Sequence, residues 1–339
     1  MSRHHPGDQM FSFYRQIGAQ RFQERHGLDF EDFAAGQRFR HRPGVTLSQQ
    51  DNVDEALDTL NGAMLHFDAN YAAGTAWQKP LMVSTLTLQR VIGMASKTYA
   101  RRRAILEFPE IVLNGPVYGG DTLYAASEVL DCDDAASAIT VRLTGHKADG
   151  AEVARITCRM AMLRRDASAG EPPEDQRFAA YHGADDGALV EQCGLFFEDC
   201  AATESFVHAP RRRFFPEEVA AHAWRSLELG AVATDGRVAV PEAFLVGATT
   251  ALTTRHFGRV SANLGWLDVE LPAPVFAGDT IEAESEVLST RESRSRPDEG
   301  ILTVATTARN QRGEVVLKFQ RNLLVYRHRA KELYLRAGY

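Results

Sequence analysis

Residues 61–68 read Asn-Gly-Ala-Met-Leu-His-Phe-Asp, and here polar, reactive side chains interrupt a well-patterned apolar context. His66 stands between Leu65 and Phe67, past one helical pattern and ahead of another, which predicts a short loop facing the interior. Imidazole is the side chain whose unperturbed pKa lies near neutrality, so a histidine held there is a candidate to take up and return a proton. From local pattern alone the other reading is a core histidine satisfied by its neighbours. Arginine is grouped at 101–103, at 211–213 and at Arg291, Arg294 and Arg296. Each group either meets phosphates of a small ligand or is a solvated face, as most charged residues are. Cys132, Cys158, Cys193 and Cys200 show no paired metal-ligand spacing, so no metal site is expected.

The elements that must position these residues come from a chain of 339 residues, long enough for two domains or one large double one. It is 44% hydrophobic and 24% charged, as an ordinary globular protein is. No run approaches the roughly 18 apolar residues of a membrane helix, and the polar N-terminus lacks the apolar core of a secretory signal. The expectation is therefore no membrane partner and a reducing cytoplasm. A net charge of −7 likewise argues against a nucleic-acid partner.

A tandem repeat organises the sequence. Phe-Glu-Asp-Phe-Ala-Ala-Gly-Gln-Arg-Phe-Arg-His-Arg-Pro at 30–43 returns as Phe-Glu-Asp-Cys-Ala-Ala-Thr-Glu-Ser-Phe-Val-His-Ala-Pro at 197–210, an offset of 167 (197 − 30) that His41 and His208 keep. Pro-Val-Tyr-Gly-Gly-Asp-Thr at 116–122 returns as Pro-Val-Phe-Ala-Gly-Asp-Thr at 274–280, an offset of 158 (274 − 116). Two collinear matches make the chain a duplication. The second copy is shorter by about nine residues (167 − 158) in the interval that holds residues 61–68 of the first. Its stretch 224–240 offers Glu228 and Asp235 but no histidine, so the scaffold is kept twice and the reactive loop once.

Within the first copy, Ser48 followed by Asp51 predicts a capped helix start, with Val53, Ala56, Leu57, Leu60 and Met64 as its apolar stripe. A longer helix is expected after Pro80, from Val83 to about Tyr99, with its counterpart near 246–256. Strands are expected at 105–113, 122–132, 138–146 and 152–164, separated by Gly-Gly-Asp and Asp-Gly turns. This is an α+β pattern in which an antiparallel sheet wraps a helix. The division expected is an N-terminal extension at 1–28 with a short helix around 13–23, a first unit at 29–165, a Pro/Gly-rich linker at 166–194, a second unit at 195–330 and a tail at 331–339.

Together these features resemble the MaoC-like hydratase/dehydratase family of hot-dog proteins, over about residues 30–327 and in both copies. The family's loop is Asp-x-Asn-Pro-Leu-His-x-Asp, followed by the long hot-dog helix and by Pro-Val-Phe-x-Gly-Asp-Thr. Residues 262–266, Ala-Asn-Leu-Gly-Trp, are similar to its first sheet strand. The resemblance implies a tandem, double hot-dog fold and a hydro-lyase that adds water reversibly to an enoyl-CoA. It puts His66 at the catalytic histidine and Asn61 at the catalytic aspartate. An amide cannot take up a proton at physiological pH, so His66 would carry the proton and Asn61 would orient the water or the thioester. Such an asparagine is similar to the branch that includes mesaconyl-CoA (2-methylfumaryl-CoA) hydratases, implying a short branched or dicarboxylic acyl group. Ala63 and Met64 depart from the family's Asn-Pro, and Asp68 either supplies the missing carboxylate or caps the next helix.

The resemblance further implies that backbone amides at the hot-dog helix start, at Ser84 and Thr85, hold the thioester carbonyl. No cofactor is implied. The substrate partner is an acyl-CoA or acyl-carrier-protein thioester, its CoA phosphates meeting arginines at a groove rim, and a homodimer is open. Two other classes stay in view. A thioesterase on this fold usually places a carboxylate on the hot-dog helix, and 83–99 contains none. A non-catalytic acyl-binding protein would fit the departures at Asn61, Ala63 and Met64.

Overall fold

The computed structural model describes residues 11–166, 175–228 and 236–339. It opens with a hairpin, β1 (Tyr14–Gly18) and β2 (Arg21–Glu24), where a helix was expected. Phe22 and Glu24 are buried while Arg21 and Gln23 are exposed, the period of two that a strand imposes. The turn between Gly18 and Arg21 divides the stretch too early for a helix to form.

The first copy then runs through β3 (Arg38–Thr46), α1 (Gln49–Asp58), α2 (Ala69–Ala73), α3 (Ser84–Met94), β4 (Arg102–Leu113), β5 (Thr122–Asp133), β6 (Ala138–Lys147) and β7 (Glu152–Met162). A second hairpin follows, β8 (Tyr181–Gly183) and β9 (Leu189–Glu191), inside the stretch expected as linker; residues 167–174 of that stretch lie outside the described residues. The second copy comprises β10 (Ser205–Val207), β11 (Arg212–Arg213), α4 (Pro216–Arg225), α5 (Glu242–Leu252), β12 (Val260–Glu270), β13 (Thr280–Glu292), β14 (Glu299–Asn310) and β15 (Val315–Tyr326), and α6 (Glu332–Arg336) closes the chain.

There are two sheets. One is ordered β4-β7-β6-β5-β3-β9-β8 and the other β1-β2-β10-β13-β14-β15-β12, with β11 beside β13. Each copy is a hot-dog unit, an antiparallel sheet around its helix. Val91 of α3 packs into a core with Ile139, Val141 and Leu143, while Leu86 packs with Leu47, Val83 and Leu123. Gly145 lets sheet and helix approach, since a Cβ there would run into Val91. On α5, Leu245 and Ala248 pack with Ile281, Ala308 and Phe319.

The hairpins are exchanged between the copies. β2, which precedes the first copy, runs parallel to β10 of the second, and β9, which precedes the second copy, runs parallel to β3 of the first. Each carries a buried glutamate at its end. Glu191 accepts from Nδ1 of His41 at 2.9 Å and from the Arg42 amide at 3.0 Å, and His41 Nε2 meets Ser127 Oγ at 2.8 Å. Glu24 makes the same set with His208 Nδ1 at 2.9 Å and the Ala209 amide at 3.0 Å, with His208 Nε2 on Ser285 at 2.9 Å. Glu24 and Glu191 keep the offset of 167, so the repeat begins well before Phe30.

Helices α1 and α4 also keep the offset of 167, and α3 and α5 that of 158, so the shortening falls between them. In the first copy this interval holds a 3-10 turn at Met64–His66 and α2. In the second, residues 229–235, with Asp235 among them, lie outside the described residues. The apolar stripe expected on α1 is not a buried face. Leu57 and Leu60 are exposed, Met64 lies beyond the helix, and the buried positions are Asn52 and Ala56.

Candidate active site

The loop at 61–68 is built from both sides. Ser48 caps α1, its side chain accepting from the Asp51 amide while Asp51 accepts from Ser48, the reciprocal arrangement expected from sequence. The helix ends at Thr59, and Leu60 turns the chain with a left-handed φ of 55°. Asn61 accepts from the Ala63 amide at 3.1 Å through Oδ1, a local turn that starts the loop. The 3-10 turn then delivers His66, half-buried.

One ring nitrogen of His66 is held: Nδ1 lies 2.7 Å from the Leu81 carbonyl. A carbonyl can only accept, so Nδ1 carries the hydrogen, and in the neutral ring Nε2 is left as the basic nitrogen. The backbone of His66 is fixed by two amides of α1. Gln49 donates to its carbonyl at 2.6 Å and Asn52 at 2.7 Å. Asn52, fully buried, also donates to Leu81 O at 3.1 Å and accepts from the Val83 amide at 2.7 Å. A single side chain thus ties the histidine to the segment that enters α3. Neither Asn52 nor Gln49 was legible as functional, because an amide inside a polar helix carries no sequence signal that separates it from a solvated one.

α3 begins one residue after Val83, and the amides of Ser84 and Thr85 have no acceptor among the described residues. First-turn amides have no intrahelical partner and face the positive end of the helix dipole. Asn52 thus links His66 and Leu81 to Val83, the residue before α3, and no hydrogen bond among the described residues joins Ser84 or Thr85 to that network. Among the described residues, Asn61 makes no hydrogen bond to His66. Asp68 is the N-cap of α2, its Oδ1 accepting from the Tyr71 amide at 3.0 Å, which is the second of the two roles open to it. A carboxylate also stands beside α3: Glu55 of α1 accepts from Thr85 Oγ1 at 2.7 Å and from Gln89 at 2.9 Å. The arginine groups are partly engaged structurally, with Arg101 on Asp29, Arg211 on Glu282, Arg212 on Glu218 and Arg296 on Glu299. No helix among the described residues is long and apolar enough to cross a membrane.

With this geometry in place, comparison with known proteins is informative. The model of a MaoC-like domain matches residues 31–150, and that of mesaconyl-CoA hydratase matches residues 175–333. The two matches, one in each copy of the repeat, support the MaoC-like hydratase family for this chain. The mesaconyl-CoA hydratase of Cereibacter sphaeroides is 32% identical over 148 residues, covering 40% of this chain and 43% of that protein. The chain thus matches less than half the length of that relative. Among solved structures, a MaoC-like dehydratase from Rhodospirillum rubrum is 28% identical with a TM-score of 0.35, covering 40% of this chain and 99% of that one. A Mycobacterium tuberculosis protein described as having a double hotdog fold is 22% identical with a TM-score of 0.37, covering 89% and 99%. The fold of this chain rests on its own two sheets rather than on those scores.

Proposed function

We propose that this chain is a cytoplasmic hydro-lyase that adds water reversibly across the double bond of an enoyl-CoA. The observation that supports it is the single nitrogen by which His66 is held. With Nδ1 donating to Leu81, Nε2 is left as the base that acts on the substrate in this reading. In the forward direction Nε2 takes a proton from water as the water oxygen bonds to the β-carbon. The π pair moves toward the α-carbon, and negative charge spreads onto the thioester oxygen. The Ser84 and Thr85 amides at the start of α3 stabilise that charge. The histidinium then returns its proton to the α-carbon, so each atom of water is accounted for. Asn61 orients the water through its amide, and Asp68 shapes the substrate side by fixing the start of α2. The acyl group on this reading is short and branched or dicarboxylic, as in mesaconyl-CoA, carried on CoA or a carrier protein. A homodimer belongs to the same reading and is checked by light scattering.

Hydration of a panel of enoyl-CoA thioesters, compared between the native chain and His66→Ala, tests the proposal. A second reading, thioester hydrolysis, gains from Glu55, which brings to α3 the carboxylate that α3 itself lacks. Release of free CoA from acyl-CoAs, lost in Glu55→Gln, would favour it.

A further inference from the structure

The cores of the two copies differ at one spot. At the offset of 158, Val91 and Ala95 at the end of α3 correspond to Thr249 and Thr253 at the end of α5. The strand registers place Cys158 opposite Val141 in the first copy and Arg321 opposite Val304 in the second, and Thr-Val at 140–141 and at 303–304 are equivalent. All six side chains are buried, Arg321 to 3%. Three positions that are Val, Ala and Cys in one core are two hydroxyls and a guanidinium in the other.

Arg321 Nη2 donates to Thr253 Oγ1 at 2.9 Å, and that hydroxyl donates to the Thr250 carbonyl at 2.8 Å. Among the described residues Arg321 Nε has no acceptor, and Thr249 Oγ1, fully buried, has no partner. Among the described residues no carboxylate pairs with Arg321, whereas the well-buried Arg25 is paired with Asp29 and Asp32. A guanidinium removed from water without a counter-charge is costly, and the burial draws its pKa down to about 10. Its neighbours Phe319 and Leu323 on β15 are core residues, so the cation is not a surface side chain folded inward.

We propose that Arg321, Thr249 and Thr253 form a carboxylate-binding site in the core of the second copy. The planar fork of Arg321 presents Nε and Nη donors to the two oxygens of one carboxylate, and the Thr249 hydroxyl supplies another donor. The carboxylate is either the far end of a dicarboxylic acyl group, an assignment that rests on the hydratase reading, or a free small carboxylate that does not depend on it.

The test is equilibrium binding to the full chain by calorimetry, with two saturated thioesters that cannot be hydrated. Methylsuccinyl-CoA ends in a carboxylate where 2-methylbutyryl-CoA ends in a methyl. Free methylsuccinate is the third ligand. At least tenfold tighter binding of methylsuccinyl-CoA over 2-methylbutyryl-CoA, abolished in Arg321→Met, supports the acyl-borne carboxylate. Binding of free methylsuccinate that Arg321→Met abolishes supports the free one. Equal affinities for the two thioesters together with no binding of methylsuccinate overturn the site, as does discrimination that survives in a folded Arg321→Met. Should that variant not fold, Thr249→Val with Thr253→Val is expected to weaken the discrimination severalfold, and full retention overturns the site. Because neither thioester can be hydrated, loss of hydratase activity with the discrimination intact would sink the hydratase reading alone.

Discussion

His66 is held through one ring nitrogen and one backbone carbonyl, and the two restraints have separate consequences. Replacing the ring should abolish proton transfer without disturbing the loop, since its backbone is held by Gln49 and Asn52. His66→Ala is thus expected to keep its circular dichroism and melting temperature while kcat falls by about 10²–10⁴-fold. Asn52→Ala is expected to behave differently. It leaves the Val83 amide and two carbonyls short of a partner, which should destabilise the fold by about 1–3 kcal/mol and also lower kcat, read by denaturant unfolding beside the hydration assay. His66 was legible because a histidine between apolar residues stands out. Asn52 was not, because its importance comes from reaching three backbone groups that lie 14 to 31 residues away.

At the scale of elements, each exchanged hairpin is fastened by a buried glutamate. Burial by itself would raise the Glu191 carboxyl, but the hydrogen bond and charge of His41, with Lys97 and Thr98, hold it below the ordinary value. A carboxylate depressed in the folded state stabilises above its unfolded pKa of about 4.3, and that stabilisation is lost as pH falls through the folded value. The β8–β9 hairpin should therefore keep its amide protection at pH 5 to 7 and lose it at lower pH, as hydrogen exchange across residues 181–191 would show. Protection that persists at pH 2 would argue that Glu191 does not hold the hairpin. Glu191→Ala, which strands His41 in the core, is expected to cost about 3–5 kcal/mol in chemical denaturation. The long strands β4 to β7 were legible as strand-like runs set apart by glycine turns. The hairpins were not, since strands of three to five residues are too short to show a period and sit in stretches that read as an N-terminal extension and a linker.

At the scale of the molecule, the duplication was plain in sequence while the exchange between copies was not. Repeats report which elements recur, not which copy's sheet they join. The first copy leads out of the second copy's sheet and the second out of the first's, so neither sheet is complete without the other half of the chain. A chain that starts at residue 25 loses β1 and β2, leaves β10 without its parallel neighbour and leaves His208 without Glu24. It is expected to melt well below the intact protein or to aggregate through the bared edge, seen by thermal denaturation and light scattering.

The asymmetry between the copies carries the functional account: one copy keeps the histidine loop, and the scaffold is present twice. The most direct measurement is the mass of enoyl-CoA substrates, mesaconyl-CoA included, after incubation with the native chain and with His66→Ala. The account predicts that at least one enoyl-CoA gains the mass of one water with the native chain and that this gain nearly vanishes with the variant. Hydration at the native rate by a folded His66→Ala would contradict it.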